Sequence, residues 1–259
     1  MLYTIKHRTA PRKALISLVP LMFLIAMAQS CTLLLPPDNT PSEYSWSFQQ
    51  TSDNWTAGFA DYHVSANGQM LDTSIYEMRA GHIILPAELQ TNTTGTAKGF
   101  FLQSHNRSDD MFMFLKRRIT GLQAGKRYTI EASVRFGSNA LLGNVGIGGP
   151  PAEAVYVKFG AAGTEPQVLI DGGFVRFNLD KGNQAVGGAN AIVLGNIGVS
   201  GTVNNAFAFK TLSSTGITEK LRATASSDGS LWLFVGTDSG FEGLTQVYYD
   251  RITVRCLPD

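Results

Sequence analysis

The pattern that most constrains this chain is a series of short apolar or alternating runs, separated by turn residues, from residue 44 to the end. In the clearest run, residues 128–136, apolar and polar side chains alternate, which is typical of a strand with one buried and one solvated face. The run Met111–Leu115 is apolar on both faces and predicts a central strand. No stretch sustains a 3.6-residue period, so we expect at most a helical turn or two.

Many short strands with few helices predict an all-β domain built from two packed antiparallel sheets. The expected architecture is an antiparallel β-sandwich, with a closed or partly closed β-barrel as the alternative. The predicted strands cover residues 44–49, 75–79, 82–85, 98–103, 111–120, 127–136, 153–160, 167–171, 174–179, 191–199, 206–212, 219–226, 230–237 and 245–255.

The N-terminus resembles an export signal. A basic start is followed by an uncharged apolar run, residues 14–28, which has the length of a signal segment and is short for a membrane span. Two processing patterns fit: cleavage after Ala26-Met27-Ala28, or a lipoprotein box, Ala28–Cys31, with Cys31 as the lipidated residue. We therefore expect residues 1–30 to be a signal segment that directs the protein to the cell envelope, the periplasm or the exterior.

Residues 31–43 contain three prolines and predict a tether, which leaves residues 44–259 as a single domain. The chain has two cysteines, Cys31 and Cys256. In an oxidising compartment they can pair and tie the two ends together. If Cys31 carries lipid instead, Cys256 is left alone and is expected to be buried.

The low charge of the chain limits the classes of partner that it is expected to bind. Charged residues make up 16% of the sequence, and the net charge is +1. No basic surface for nucleic acid is expected at this charge. Contact with a membrane is expected only through an N-terminal lipid.

Three segments resemble galactose-binding-like jelly-roll modules, many of which bind carbohydrate. Residues 121–132 match their G-L-x-x-G-x-x-Y turn and strand, residues 46–49 are similar to their first strand, and residues 248–254 look like their last. The resemblance implies a carbohydrate-binding-module-like jelly roll of an exported bacterial protein. It also implies a structural calcium held by Asp250 together with an acidic residue of the first strand. Gln49 stands at that second position, so the site has lost a charge.

Several loops combine oxygen and nitrogen ligands. The segments 104–112, 180–184 and 238–243 carry carboxylates and amides that suit a hard cation or sugar hydroxyls. Aromatic residues in the irregular stretch 54–63 are candidates for stacking on sugar rings. The expected ligand-binding residues are Trp55, Tyr62, His105, Asn106, Asp180 and Asn183, and the expected metal ligands are Asp250, Asp109 and Asp238.

Motifs for catalysis are absent from the sequence: there is no Gly-x-Ser-x-Gly elbow and no HExxH. The leading hypothesis is a non-catalytic, exported β-sandwich that binds carbohydrate or another extracellular polar ligand. One alternative is a polysaccharide-degrading enzyme, a lyase or a glycoside hydrolase, that uses the loops 104–112 and 180–184. The other is a structural or adhesion lipoprotein.

Overall fold

The computed structural model describes residues 39–69, 74–90, 94–107, 110–200 and 206–259. The predicted signal segment, most of the tether with Cys31, and Asp109 lie outside these residues. The described part of the chain contains one helical element, a 3₁₀ turn at Ala87–Leu89, and no helix in it is long and apolar enough to cross a bilayer.

The described strands follow one another along the chain and pair only in the antiparallel sense. They are β1 (Ser42–Ser47), β2 (Thr56–Ala60), β3 (Tyr62–His63), β4 (Arg79–Ile84), β5 (Lys98–His105), β6 (Met111–Ile119), β7 (Arg127–Ser138), β8 (Val155–Ala162), β9 (Val168–Asp171), β10 (Phe174–Phe177), β11 (Ala191–Asn196), β12 (Ala208–Ser213), β13 (Leu221–Thr224), β14 (Leu231–Ser239) and β15 (Leu244–Pro258).

The strands form two large sheets and one small one. The seven-stranded sheet has the order β12-β7-β15-β5-β4, with β1 added to β15 and β13 added to β7. The five-stranded sheet has the order β11-β8-β14-β6-β2, and the small sheet has the order β3-β10-β9. The two large sheets pack face to face, which confirms the predicted β-sandwich of jelly-roll type; the described strands do not close into a barrel.

The main core lies between the two large sheets. Val134 and Ile252 of the seven-stranded sheet and Leu115 and Val235 of the five-stranded sheet belong to one buried cluster. Each fully buried aliphatic side chain stabilises the fold by roughly 1.5–3 kcal/mol. The alternation predicted for β7 is confirmed, because its inward side chains are all buried: Tyr128, Ile130, Ala132, Val134 and Phe136.

A second apolar layer covers the outer face of the five-stranded sheet. Phe112 and Phe114 of β6 point outward and contact Phe177 of β10, with ring centroids 5.1 and 4.8 Å apart. Phe234 of β14 lies 5.0 Å from the same ring. The β9–β10 hairpin therefore covers this face of the sheet. As a result, β6, which lies between β14 and β2, is buried on both of its faces. This confirms the central position predicted from Met111–Leu115.

Glycines make room for this outer layer. A Cβ atom on Gly160 would lie 2.0 Å from Cζ of Phe234, and one on Gly236 would lie 2.6 Å from Cε2 of Phe112. The rings therefore lie over bare backbone of the neighbouring strands.

The three segments of the jelly-roll resemblance lie side by side. β1 pairs with β15, and β15 pairs with β7. In the turn before β7, Gly121 and Gly125 have φ values of 90° and 69°, which favour glycine. The backbone N–H of Gln123 donates to the hydroxyl of Tyr128 at 2.9 Å, so the tyrosine of the motif closes the turn.

Two predictions for the regular elements were wrong. The strands expected at 75–79 and 82–85 are replaced by the single strand β4, and the stretch treated as irregular, 54–63, contains β2 and β3. Cys256 is buried in the core and has no disulfide partner among the described residues, and burial raises the pKa of its thiol to about 12.

We predict that Gly160→Ala lowers the free energy of unfolding by about 1–3 kcal/mol, because the new methyl group overlaps the Phe234 ring. Gly81→Ala is the matched control. It adds a methyl group to another strand glycine, where the nearest atom is 3.5 Å away, and it should change stability by no more than about 0.5 kcal/mol. Urea unfolding measures both. Equal effects of the two substitutions would contradict the packing described here.

Candidate functional site

Next to the ring layer, the outer face of the five-stranded sheet carries a cluster of buried charges. Asp238, near the end of β14, is fully buried, and its Oδ2 accepts hydrogen bonds from Lys158 Nζ and Lys181 Nζ, each at 2.8 Å. The same oxygen accepts the backbone N–H of Gln184 at 2.9 Å. Burial by itself would raise the pKa of Asp238, but the two ammonium groups together lower it.

Lys158 attaches a loop to the sheet. Its side chain on β8 is fully buried, and Nζ donates to the carbonyl oxygens of Lys181 and Val186, both at 2.9 Å, as well as to Asp238. Three acceptors satisfy the three protons of an ammonium group. Burial lowers the pKa of Lys158 despite the neighbouring carboxylate.

Lys181 joins this pair to a second carboxylate. Its Nζ lies 3.1 Å from Oδ2 of Asp61, and it lies 5.1 Å from the centre of the Phe112 ring. Asp61 sits between β2 and β3 with φ of 61°, a conformation that aspartate tolerates better than most residues. Although burial lowers the pKa of Lys181, the carboxylates of Asp238, Asp61 and Asp110 together raise it.

A third carboxyl group, Asp110, lies just before β6. Its oxygen and those of Asp61 and Asp238 come within 4.8 Å of one another. Burial and the negative charge of Asp238 raise the pKa of Asp110 to about 8. At neutral pH this carboxyl group is therefore predominantly protonated.

The cluster forms the floor of an open cleft of about 310 Å³. The cleft is bounded by the small sheet and by the loop that follows it. Its lining combines carboxyl, guanidinium, ammonium and amide groups with two apolar side chains: Asp61, Asp110, Arg176, Phe177, Leu179, Asp180, Lys181, Gly182 and Asn183.

The loop along the cleft has a closely defined backbone. Asp180 accepts the backbone N–H of Gly182 at 3.0 Å and that of Ala189 at 2.8 Å, and these bonds lower its pKa. A Cβ atom on Gly188 would lie 2.2 Å from Oδ1 of Asp180, so this turn requires glycine. The glycine content of this segment serves close packing of the loop on itself.

Arg176 presents the most accessible positive charge of the cleft. Its side chain is 41% exposed, its Nη1 lies 3.5 Å from Oδ1 of Asp61, and its guanidinium carbon lies 4.0 Å from the centre of the Phe174 ring. Phe174 in turn packs against His63, with the two ring centroids 4.1 Å apart and the ring planes tilted by 35°. The guanidinium plane is thus held at the edge of the cleft with donors available to a ligand.

The structure brings some of the predicted site residues together here. Asp180 and Asn183 line the cleft, and Asp238 lies in the charge cluster beneath it. His105 and Asn106 do not line it: Nδ1 of His105 lies 2.9 Å from Oε1 of Glu77, and Asn106 Nδ2 donates to the Ser239 carbonyl at 2.8 Å. These two residues brace neighbouring loops. Asp109 lies outside the described residues.

The aromatic residues expected to stack on sugars are placed elsewhere. Trp55 is 2% exposed and packs edge-on against Trp46 and Phe48 in the main core. Tyr62 is buried against Tyr76. Neither offers a ring face at the surface, because Trp55 packs into the main core directly before β2 and Tyr62 is buried in β3 of the small sheet. Trp232, by contrast, is half-buried on the outer face of β14, with Lys116 Nζ 5.5 Å from its centre.

The residues around Asp250 do not fit the implied calcium. Its Oδ2 accepts a hydrogen bond from Arg135 Nη1 at 2.6 Å, and its Oδ1 accepts a long one from Gln49 Nε2 at 3.4 Å. A guanidinium group therefore supplies the positive charge that a cation would bring. Nor do the three clustered aspartates fit calcium well, since two ammonium groups already contact Asp238 and calcium takes about six to eight oxygen ligands.

Sequence reasoning missed Lys158, Asp61 and Arg176 as members of the site. One signal was present for Lys158 and Asp238: each is the only charged residue of a mostly apolar strand, VYVKFGAA and LWLFVGTDS. A buried charge requires a partner of opposite sign. The two strands are neighbours in the five-stranded sheet, so they were candidates to supply each other's partner.

Fold and site together define a jelly-roll β-sandwich with a polar cleft on the outer face of the five-stranded sheet. Similar solved structures include TmCBM61 in complex with β-1,4-galactotriose (9% identity, 78% of this chain and 87% of that chain, TM-score 0.33). They also include the CBM22-1 xylan-binding domain of Paenibacillus barcinonensis Xyn10C (13%, 83% and 94%, TM-score 0.35) and the mannan-recognising carbohydrate-binding module TmCBM27 (10%, 84% and 98%, TM-score 0.33).

No protein-family model and no curated protein matches the chain. At these sequence identities and TM-scores, the assignment of the fold rests on the strand order and on the packing of the sheets.

We predict that Arg135→Met costs about 3 kcal/mol of unfolding free energy, because it leaves the buried carboxylate of Asp250 without its cation. Arg222→Met, at an exposed arginine, is the control and should cost no more than about 0.5 kcal/mol.

The wild-type protein should melt at the same temperature in EDTA and in calcium, because Asp250 and Asp238 are already paired with cationic side chains of the described residues. A rise in Tm with calcium would overturn this assignment.

The pKa of Asp110 predicts a pH-dependent stability. Because this pKa is raised to about 8 in the folded protein, the folded chain keeps a proton that the unfolded chain releases near pH 4. Between these limits the contribution of Asp110 to stability falls as pH rises. Asp110→Asn removes this loss of stability. The free energy of unfolding of the variant, measured in urea, should therefore rise relative to that of wild type from about pH 5.5 to about pH 8.5.

The control for this measurement is Asp171→Asn, at an exposed position on the tip of the small sheet. It should follow the wild-type pH dependence. A constant stability difference between Asp110→Asn and wild type at every pH would show that Asp110 carries its ordinary charge.

Proposed function

We propose that this chain is an exported protein that binds carbohydrate in the cleft between the small sheet and the loop 180–190. The observation that carries the proposal is the composition of the cleft: an apolar patch, Phe177 and Leu179, lies beside groups that donate and accept hydrogen bonds. A sugar ring is likewise part apolar and part polar. Its C–H groups pack on apolar surface, and its hydroxyl groups need hydrogen-bond partners.

The polar groups at the cleft suit hydroxyl groups in number and kind. The Asn183 amide is exposed and offers both donors and an acceptor. The guanidinium of Arg176 offers several donors in one plane. The volume of about 310 Å³ is at the lower end of the range for ligand pockets. We therefore infer a ligand of one or a few sugar units, or the part of a longer chain that enters the cleft.

The buried charges beneath the cleft support binding by fixing its shape. Lys158 holds the backbone of Lys181 and Val186, and Asp238 holds that of Gln184. A site whose loop is already ordered loses less conformational entropy when the ligand binds.

Export to the cell envelope is part of the proposal and is supported by the sequence. The basic start, the apolar run 14–28 and the box ending at Cys31 are typical of a lipoprotein signal. A domain held outside the cell by a Pro-rich tether would meet extracellular glycans. The net charge of +1 favours such a ligand over nucleic acid.

A glycan array with the purified protein tests the proposal. Wild type should be retained on at least one class of glycan. Arg176→Met and Asn183→Ala should each weaken that binding about tenfold, the equivalent of one lost hydrogen bond to a polar group. Asp171→Asn, on the same small sheet but outside the cleft lining, should bind as wild type does.

Two results would contradict the proposal. One is the absence of retention on every glycan of the array by protein that melts cooperatively. The other is retention that is equal for wild type, Arg176→Met and Asn183→Ala, which would move the binding surface away from the cleft.

A further inference from the structure

The cleft holds two carboxyl groups in different surroundings. Asp61 and Asp110 both line it, and their oxygen atoms lie within 4.8 Å of each other. Asp61 faces two cations, Lys181 at 3.1 Å and Arg176 at 3.5 Å. Asp110 is partly buried beside Asp238, and burial and the negative charge of Asp238 raise its pKa although Lys181 lies nearby. Pairs of carboxyl groups in such contrasting environments are how one site supplies an acid and a base at the same pH.

We propose that the cleft hydrolyses a glycosidic bond of the glycan that it binds, with Asp110 as the general acid and Asp61 as the nucleophile. This inference rests on the proposed function. The short separation of the carboxyl groups favours a retaining reaction, because inverting enzymes need about 6.5–9.5 Å between them to admit water.

The cost of ionising Asp110 argues that this residue is more than a structural partner. Lys158 and Lys181 are balanced by Asp238 and Asp61. Arg176, whose Nη1 lies 3.5 Å from Oδ1 of Asp61, brings a third cation to the cleft, yet the pKa of Asp110 is raised to about 8, chiefly by burial. Burying a third carboxyl group here opposes stability whenever it ionises, whereas an asparagine would not. A costly ionisable group on the floor of a cleft is a candidate for function.

The charged groups that face Asp110 come from every neighbouring element. They are Asp238 on β14, Lys158 on β8, Lys181 in the loop after β10, and Asp61 between β2 and β3. Burial and Asp238 keep the proton on Asp110 up to a pH of about 8. The group therefore holds a proton to donate at neutral pH.

In the first half of the reaction, Asp110 gives its proton to the glycosidic oxygen as the bond from that oxygen to the anomeric carbon breaks. The leaving part of the glycan departs as an alcohol, and a carboxylate oxygen of Asp61 forms an ester bond to the anomeric carbon. In the second half, the Asp110 carboxylate takes a proton from water, and the water oxygen displaces Asp61. The net reaction is glycoside plus water giving two shorter sugars.

The test uses full-chain protein and the glycans that the array shows to be bound. New reducing ends should appear with wild type and with Asp171→Asn. Asp110→Asn should still bind these glycans within about twofold and cleave them about 10²–10⁴ times more slowly. Asp61→Ala should not cleave them, and added azide should restore cleavage by taking the place of the missing nucleophile, with a glycosyl azide as product.

The pH profile provides a readout that a purely structural role would not move. The kcat/KM of wild type should fall as pH rises through about 8, because Asp110 then loses the proton it donates. This measurement needs no variant, so it holds even if a substitution fails to fold.

The outcomes separate this inference from the proposed function. Glycans that are bound but never cleaved by wild type would overturn hydrolysis and leave binding in place. Cleavage that survives both Asp110→Asn and Asp61→Ala would overturn the assignment of these residues. If no glycan is bound, the proposed function fails, and hydrolysis at this cleft fails with it.

Discussion

The contact between Lys158 and Asp238 is the interaction on which the rest of the site depends. Both side chains are fully buried, so each has lost its hydration, a penalty of several kcal/mol for an ion. The penalty is offset because every proton of the ammonium group has an acceptor, and two of these acceptors are backbone carbonyls of one loop. The buried pair thus attaches residues 181–186 to the five-stranded sheet. This attachment helps to fix the positions of Lys181 and Asn183 in the cleft.

Much of the fold was predictable from the sequence, because burial on one face leaves a period of two. β7 and β15 were recognised in this way, and β6 was placed centrally because its outward residues, Phe112 and Phe114, are apolar as well. β2 was not recognised. Its glycine, Gly58, lies under the ring of Phe114 on the neighbouring strand β6, where a Cβ atom would overlap that ring.

The site was predictable only in pieces. Asp180, Asn183 and Asp238 were selected for their residue types in two separate loop segments, yet their convergence depends on a hairpin that folds back over the sheet. Trp55 misled for the opposite reason: an aromatic residue in an irregular-looking stretch suggests a surface role, but its strand neighbours place it in the core. Residue type states what chemistry a side chain can do, whereas its accessibility is decided by pairings distant in sequence.

The pairing of β1 with β15 has a mechanical consequence. Ser42 lies opposite Cys256, and Ser47 lies opposite Arg251, so the chain enters and leaves the domain at the same end of two adjacent antiparallel strands. Force applied between residues just outside these strands would load their hydrogen bonds one after another rather than all at once. The edge formed by β1 is therefore the part of the sandwich that such a pull would open first, while the cleft lies on the other large sheet, which takes no strand from either end of the described chain.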